Sequence, residues 1–313
     1  MWPLPEPATT AAATAAARES RLGLLAGLGA FTLWGLYPFY FKALAAIPAL
    51  EIVAHRIVWS VVMLACLLPF GGRWRTLLLA VRTPATLGWL TVTTVLISAN
   101  WLVYVLAVTG GQVLDASLGY FLCPLVNVVL GVTVLKERLT AAQTAAVALA
   151  ACAVLLPIWQ LGAVPKVALF LAVSFGLYGM LRKRLAVDAV TGLLVECVLA
   201  LPLSAGIALW LAASGGLRSP QADAWTWALL LLSGIVTAGP LLLFAMGAKR
   251  MRLATLGLLQ YIAPSMLFVE GVLAFGEPVE PSRLAAFALI WAALALYTAD
   301  GALRARRAAR VAG

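Results

Sequence analysis

Ten apolar stretches of about twenty residues follow one another along this 313-residue chain, at 22–41, 51–70, 86–108, 113–135, 141–159, 165–182, 190–212, 225–248, 253–275 and 284–303. A helix rises about 1.5 Å per residue, so each stretch is long enough to cross the ~30 Å hydrocarbon core of a bilayer. The longest polar interval between them, roughly 213–224, leaves no room for a soluble domain. The pattern predicts an all-α integral membrane protein of ten transmembrane helices. Residues 1–21 open Pro-, Ala- and Thr-rich and are expected to form a disordered cytoplasmic N-terminus, and 304–313 a basic cytoplasmic tail. The Ala-Thr-Ala run comes before the first apolar stretch, whereas a signal-peptide cleavage site follows one, so that stretch is read as a retained helix.

Composition agrees. The chain is 64% hydrophobic and 11% charged, with mean hydropathy +1.02. Too few charges remain to cover a water-soluble surface. The net charge of +10 is a topology signal and does not call for a nucleic-acid partner. With the N-terminus on one side, that side receives Arg18, Arg21, Arg73, Arg75, Arg82, Lys136, Arg138, Arg182, Lys183, Arg184, Lys249, Arg250, Arg252, Arg304, Arg306, Arg307 and Arg310. The other side receives only Lys42, Arg56, Lys166, Arg218 and Arg283. The positive-inside bias makes the first side cytoplasmic, with both termini inside. The alternation also checks the helix count, which a missed helix would scramble. Cys66, Cys123, Cys152 and Cys197 all lie in apolar stretches and read as packing residues, not disulfides or metal ligands.

The stretches repeat. Trp34, Gly35, Leu36, Tyr37 and Lys42 match Phe175, Gly176, Leu177, Tyr178 and Lys183 at an offset of 141. Phe121, Pro124, Gly131 and Glu137 match Tyr261, Pro264, Gly271 and Glu277 at 140, and Asn100 and Tyr104 fall opposite Pro240 and Phe244. Residues 22–159 and 165–303 therefore read as two copies of one unit. Five crossings per copy is odd, so the second copy enters the membrane inverted. Inverted repeats belong to secondary transporters, whose site lies between the halves near the midplane.

Few polar residues interrupt the helices, and each should face the bundle interior or a wet cavity. Asn100, Tyr104, Tyr120, Asn127, Gln260 and Tyr261 are candidates for solute contact; for the amides, interhelical hydrogen bonding is the alternative. Trp34, Tyr37, Phe121 and Tyr178 complete an aromatic set. Pro124 and Pro264 each delete a backbone hydrogen bond halfway along a helix, which marks a broken helix lining a site or a simple kink. Glu51, His55 and Trp59 share one face of the second helix at i, i+4, i+8. Glu51 and His55 are spaced to pair, with Arg56 beside them. His55, the only histidine, lies ~6 Å below the outer edge, and its repeat partner Glu196 lies as deep below the inner one. Glu51, His55, Arg56 and Glu196 are thus candidates for gating or proton coupling, or for structural ion pairs. Glu137 and Glu277 are expected to cap or order loops, and Glu270 has no acidic counterpart in the first copy. Gly23 and Gly27 form a G-x-x-x-G suited to packing within the bundle. Ala-rich faces on the fifth and tenth helices leave monomer and homodimer both open.

These motifs resemble the drug/metabolite transporter superfamily, in the EamA-domain branch typified by RarD permeases, over about 22–303. The likeness rests on Trp34-Gly35 with Pro38, Tyr40 and Lys42; on Glu51, His55-Arg56 and Trp59-Ser60; on Asn100-Trp101; on the run from Ala116 to Phe121; on Pro124 to Asn127; and on Glu137-Arg138. The second half adds Phe175, Tyr178-Gly179, Arg182-Lys183, Gln260-Tyr261, Pro264, Gly276-Glu277 and Ile290-Trp291. The resemblance implies two EamA repeats and a permease that moves a small organic solute, usually outward. Cys123 departs from the amide expected before Pro124.

The sequence thus reads as a secondary active transporter working by alternating access, coupled to proton antiport through His55 or Glu196, with a small solute and the bilayer as partners and no cofactor or metal. A facilitative exchanger or a channel is the alternative, with an intramembrane enzyme behind it. The lone histidine has no evident nucleophile, no repeated polar filter is visible, and no ATP-binding loop occurs.

Overall fold

The computed structural model describes residues 10–70, 72–109, 113–160, 165–274 and 281–312. In chain order the helices are α1 (Thr10–Gly35), α2 (Tyr37–Ala43), α3 (Ala49–Leu67), α4 (Arg73–Arg82), α5 (Pro84–Thr109), α6 (Val113–Thr133), α7 (Ala141–Gln160), α8 (Lys166–Arg184), α9 (Ala189–Ala213), α10 (Ala224–Arg250), α11 (Leu253–Leu259), α12 (Ile262–Leu273) and α13 (Pro281–Ala312), with a 3-10 turn at Ser219–Gln221. Each apolar stretch is largely helical over its described residues, the first shared between α1 and α2 and the ninth between α11 and α12. Among the described residues, seven spans are long and apolar enough to cross a membrane, and Leu118–Thr133 and Ala141–Leu155 are shorter apolar helices. α8 is not among the seven: it ends on Arg182, Lys183 and Arg184.

Three local features depart from the apolar pattern. The segment expected to be disordered is helical from Thr10 onward, because the run of alanines at 11–17 has high intrinsic helix propensity. An ion pair of 2.9 Å between Glu19 and Arg250 joins this extension to the end of α10. The first apolar stretch divides at Gly35, where Met266 of α12 packs so closely that a Cβ would meet its side chain at 2.7 Å. Finally, α4 fills what the stretch pattern leaves as a connection. Residues 1–9 and Glu277 lie outside the described residues.

Helix starts follow sequence chemistry. Asp188 caps α9 by accepting from the Thr191 N–H (3.0 Å), and Asp223 caps α10 by accepting from the Thr226 N–H (2.8 Å). Each satisfies a donor that the first turn leaves unpaired.

Packing joins the two halves of the chain more than it joins neighbours. α1 lies mainly on α10 and α12, α3 on α9 and α10, α5 on α8 and α9, α6 on α8 and α11, and α7 on α13. Close approach needs small residues. A Cβ on Gly234 of α10 would sit 2.3 Å from the Trp59 carbonyl oxygen, so only glycine lets α3 and α10 touch backbone to backbone there. Gly23 and Gly27 of α1 face Arg250 and Leu259 inside the bundle, and Ala146, Ala150, Ala153 and Ala293 close the α7–α13 contact.

Candidate functional site

At its start, α3 carries the predicted acid and histidine, but not as a pair. Glu51 is buried and accepts from the backbone N–H groups of Arg218 (2.9 Å) and Ser219 (2.7 Å), so it orders the turn that leads into α10. His55 Nδ1 instead accepts from Trp59 Nε1 (3.2 Å), and its ring stands edge-on to Trp227 at 5.6 Å. The two side chains line one groove of about 190 Å³ with Ser204, Leu211 and Trp227. The physical reason for the split is satisfaction: two converging peptide N–H groups meet both carboxylate oxygens, which one imidazole cannot do.

One position further, Arg56 enters an aromatic chamber. Its Cζ lies 5.7 Å from the ring of Tyr37, 5.7 Å from Phe41 and 5.3 Å from Trp101. Its Nε donates to Thr237 Oγ1 of α10 at 2.7 Å. The hydroxyls of Tyr37, Tyr40 and Tyr120 lie within electrostatic reach of the guanidinium. Tyr37 and Tyr40 donate in turn to the carbonyls of Val236 (2.6 Å) and Leu229 (3.0 Å), tying α2 to α10. Tyr104 and Tyr120 meet edge to face at 5.8 Å, and Tyr120 stays 42% exposed although it lies within reach of a half-buried cation. Trp34 joins the floor through Phe31, Phe175 and Phe244 at 5.6–5.9 Å. Of the predicted solute-contact residues, Trp34, Tyr37, Tyr104 and Tyr120 therefore converge here. Phe41 and Thr237 read in the sequence as ordinary members of apolar runs, and Trp101 enters there only through the Asn100-Trp101 resemblance and not as a site residue.

Toward the other end of the bundle, Glu196 is sealed in a network. Thr93 Oγ1 donates to its Oε1 (2.6 Å), Tyr178 Oη donates to its Oε2 (3.2 Å), and Arg182 Nη1 stands 3.6 Å from Oε1. Both charged side chains are at most 1% exposed. Gly192 makes this possible, since a Cβ there would lie 2.0 Å from Arg182 Nη1. Arg182 is the partner the charge count hid by assigning it to a cytoplasmic loop with Lys183 and Arg184. Its i, i+4 spacing from Tyr178 is the signal that puts it on an inward face. Nearby, Glu137 accepts from the N–H groups of Leu253 (2.7 Å) and Ala254 (3.0 Å) and stands 3.6 Å from Lys183 Nζ, capping α11 as expected of a loop-ordering acid.

Between these regions, α6 crosses α11. Asn127 Nδ2 donates to Gln260 Oε1 at 2.9 Å, and both residues are buried. Asn127 Oδ1 has no partner among the described residues. Gly257 permits the crossing, as its Cβ would meet the Pro124 carbonyl oxygen and Asn127 Cβ at 2.8 Å. The two prolines behave differently. α6 runs through Pro124 without a break, which corrects the expectation of a broken helix there, whereas α11 and α12 part at Gln260–Tyr261 just before Pro264. Tight bonds from the Tyr261 N–H to Leu258 (3.1 Å) and from the Ala263 N–H to Gln260 (3.3 Å) close that turn. At Pro124 the buried crossing holds the helix straight enough to continue, and Tyr261 Oη donates to the Phe121 carbonyl at 3.2 Å.

The remaining candidates have structural partners. Asn100 Nδ2 donates to the Leu171 carbonyl and to Ser174 Oγ, both at 2.9 Å, so it staples α5 to α8. The Phe121 ring packs on Phe287 of α13 at 5.5 Å. Tyr178 and Tyr261 are fully buried. Glu270 Oε2 has no hydrogen-bond partner among the described residues. No group of three or more His, Cys, Asp or Glu side chains suited to a metal occurs among them.

Comparison with known proteins carries this geometry to a family. The EamA-like transporter family matches residues 21–159. An uncharacterized transporter of Vibrio cholerae is 46% identical over 298 residues, covering 94% of this chain and 97% of that protein. Protein RarD of Escherichia coli is 41% identical over 294 residues, covering 94% and 99%. The chloramphenicol-sensitive protein RarD of Pseudomonas aeruginosa is 33% identical over 299 residues, covering 94% and 99%. One crystal structure shares the fold at TM-score 0.68 and 21% identity, covering 88% of this chain and 96% of that one. With that identity over nearly its whole length, the chain belongs to the EamA-like transporter family, among the RarD-type permeases, and is a multi-pass membrane transporter of small solutes.

Proposed function

We propose that the chain is a secondary carrier with ten crossings in two inverted repeats, which rocks one set of helices against the other around the Arg56 chamber. The observation that carries this reading is the pairing of helices. In repeat order α1, α3, α5, α6 and α7 correspond to α8, α9, α10, α11–α12 and α13. The contacts of α1 with α10, α3 with α10 and α6 with α8 then have counterparts in α8 with α5, α9 with α5 and α12 with α1. The contacts α3–α9, α6–α11 and α7–α13 map onto themselves. A two-fold relation between the halves would generate that pattern, and with five crossings in each half its axis would lie in the membrane plane, the arrangement that underlies alternating access.

The charge asymmetry supports both termini lying in the cytoplasm, and the bacterial relatives support residence in a bacterial inner membrane. In that frame the chamber lies in the outer half and the Arg182–Glu196 network in the inner half, where it acts as a closed gate. Outward movement of the solute is the direction the family resemblance carries. Proton antiport is the proposed coupling, with His55 at the outer groove and Glu196 at the inner gate as the groups that exchange protons. Protonation of Glu196 removes the charge that holds Arg182 and so loosens the gate. An uncoupled exchanger is the second reading, favoured by the ion pair itself, which leaves no free carboxylate in that network.

Reconstitution decides between them. Efflux from proteoliposomes under an imposed pH gradient is followed over a panel of amino acids, nucleosides, amines, organic acids and chloramphenicol, the last because a relative's name points to it. Coupling predicts gradient-driven flux that His55→Ala, Glu196→Gln together abolish. Flux that keeps its full pH-gradient dependence in that double variant excludes both residues as the coupling groups.

A further inference from the structure

Among the described residues, buried Arg182 and half-buried Arg56 both reach into the helix bundle, and of these two only Arg182 is paired with an acid. Arg182 has Glu196 at 3.6 Å. Arg56 sits about 10 Å along α3, and no carboxylate pairs with it among the described residues. A cation held away from bulk water without a counterion is costly. The three rings around Arg56 offset part of that through cation–π attraction, and Thr237 takes only its Nε. A permanent cost of this kind beside a tyrosine that keeps part of its surface uncovered, Tyr120, calls for an anion that comes and goes.

Resting on the carrier reading, we propose that Arg56 is the docking point for the carboxylate of the transported solute, and that the solute is an organic monocarboxylate with an apolar body and no ammonium group. The planar guanidinium presents a fork that fits a carboxylate with two parallel hydrogen bonds. Its bond to Thr237 and its contact with Trp101 fix the plane of that fork before the solute arrives. The Tyr120 hydroxyl, in reach of the same charge, supplies a further donor to the anion, whereas the Tyr37 hydroxyl is committed to the Val236 carbonyl. The rings of Tyr104 and Tyr120, edge to face at 5.8 Å, offer an apolar wall to the rest of the molecule. One guanidinium balances one negative charge. A phosphate dianion would ask for a second cation, and Lys42, the cation at the end of α2, is exposed. An amino acid would ask for an acid to receive its ammonium, and Glu51, the nearest acid on α3, has both oxygens taken by backbone N–H groups.

The test uses the full chain in phosphatidylcholine nanodiscs and reads thermal stabilisation and quenching of tryptophan fluorescence. The probes are phenylacetate, phenylacetamide, phenethylamine and phenylalanine, with hexanoate and hexanamide as the aliphatic pair. In the wild type the carboxylates are expected to half-saturate at least about tenfold lower than their amides, the amine or the amino acid. Arg56→Gln erases the preference, while Arg56→Lys keeps the charge without the fork and recovers part of it. Preference retained in Arg56→Gln, equal binding of the amides or of phenylalanine, or no stabilisation by any carboxylate at millimolar concentration each overturn the proposal. If Arg56→Gln fails to fold, the wild-type comparison of acid with amide decides alone. Repetition in phosphatidylglycerol nanodiscs separates the two sources of an anion. A lipid headgroup as the occupant shows as Arg56-dependent stabilisation by that lipid with loss of carboxylate binding, and it overturns the solute assignment. Flux in proteoliposomes keeps the two failures apart: passage of the neutral probes without the acids leaves carriage standing and sinks the anion, while passage of nothing sinks carriage itself.

Discussion

Trp34 and Phe175 meet with ring centroids 5.7 Å apart and planes at 76°, and in the proposed repeat, with its 141-residue offset, they are the same position in the two copies. A residue that touches its own counterpart sits beside the axis relating the halves. Edge-to-face pairs contribute about 0.5–1.5 kcal/mol beyond area burial. Trp34→Ala and Phe175→Ala are therefore expected to be non-additive by that amount in a double-mutant cycle of thermal or denaturant stability. Strict additivity would show that the two rings do not hold the halves together.

The proposed inverted arrangement has a direct reading in accessibility. In a background with the four native cysteines replaced, Gln221→Cys before α10 is expected to react with an impermeant maleimide on intact cells. Ala186→Cys, between α8 and α9, should react only after permeabilisation. The opposite pattern would reverse the orientation, and labelling of both from one side would remove the α9 crossing that separates them.

The buried pair Arg182–Glu196 is a specificity device more than a source of stability. Losing one partner leaves an uncompensated charge at a site at most 1% exposed, at a cost of about 3–5 kcal/mol. Arg182→Met and Glu196→Leu are each expected to lower the melting temperature sharply. The double variant should recover most of the loss and still fold, while transport fails because the inner gate no longer closes on a charge pair. A double variant that melts lower than both singles would argue for a stabilising role instead.

Acid sensitivity has one exposed contributor at the head of α10. Hydrogen bonds from the Thr226 side chain and N–H hold the Asp223 carboxyl below its ordinary value of 3.8. With the folded value lowered, the cap's contribution is complete above a pH of about 4 and is lost as pH falls through the folded value. Asp223→Asn cannot titrate, so its melting temperature should fall less than that of the wild type on acidification to a pH of about 3. Scanning calorimetry in nanodiscs across that range measures the difference.

Much of the architecture is legible in the pattern of apolar residues, because a bilayer demands length and apolarity of every crossing. All ten stretches are largely helical over their described residues for that reason. The pattern is blind to what happens inside a run. The division of α1 from α2 at Gly35 and the continuity of α6 through Pro124 depend on what packs against them, Met266 in one case and Gly257 in the other. α4 has three arginines in ten residues and reads as a connection until its Leu77 and Ala80 are seen in the core beside Leu90 and Val195. At the site, the polar residues stand out in the sequence but their partners do not. Thr237 and Trp101 look like any threonine or tryptophan in a membrane helix, and Arg182 hides beside Lys183 and Arg184. Asn100 and Glu51 drew attention for their polarity, and both proved to be bonded to the backbone of a neighbouring element.

Counterflow tests the central claim, that this chain is a carrier whose chamber faces the two sides in turn. Proteoliposomes preloaded with a high concentration of an unlabelled solute that the protein carries are diluted into trace labelled solute. The account predicts transient uphill accumulation of label that saturates with concentration and is lost in Tyr120→Ala or Arg56→Gln. Label that only equilibrates down its gradient, with no overshoot, would contradict alternating access and leave a channel.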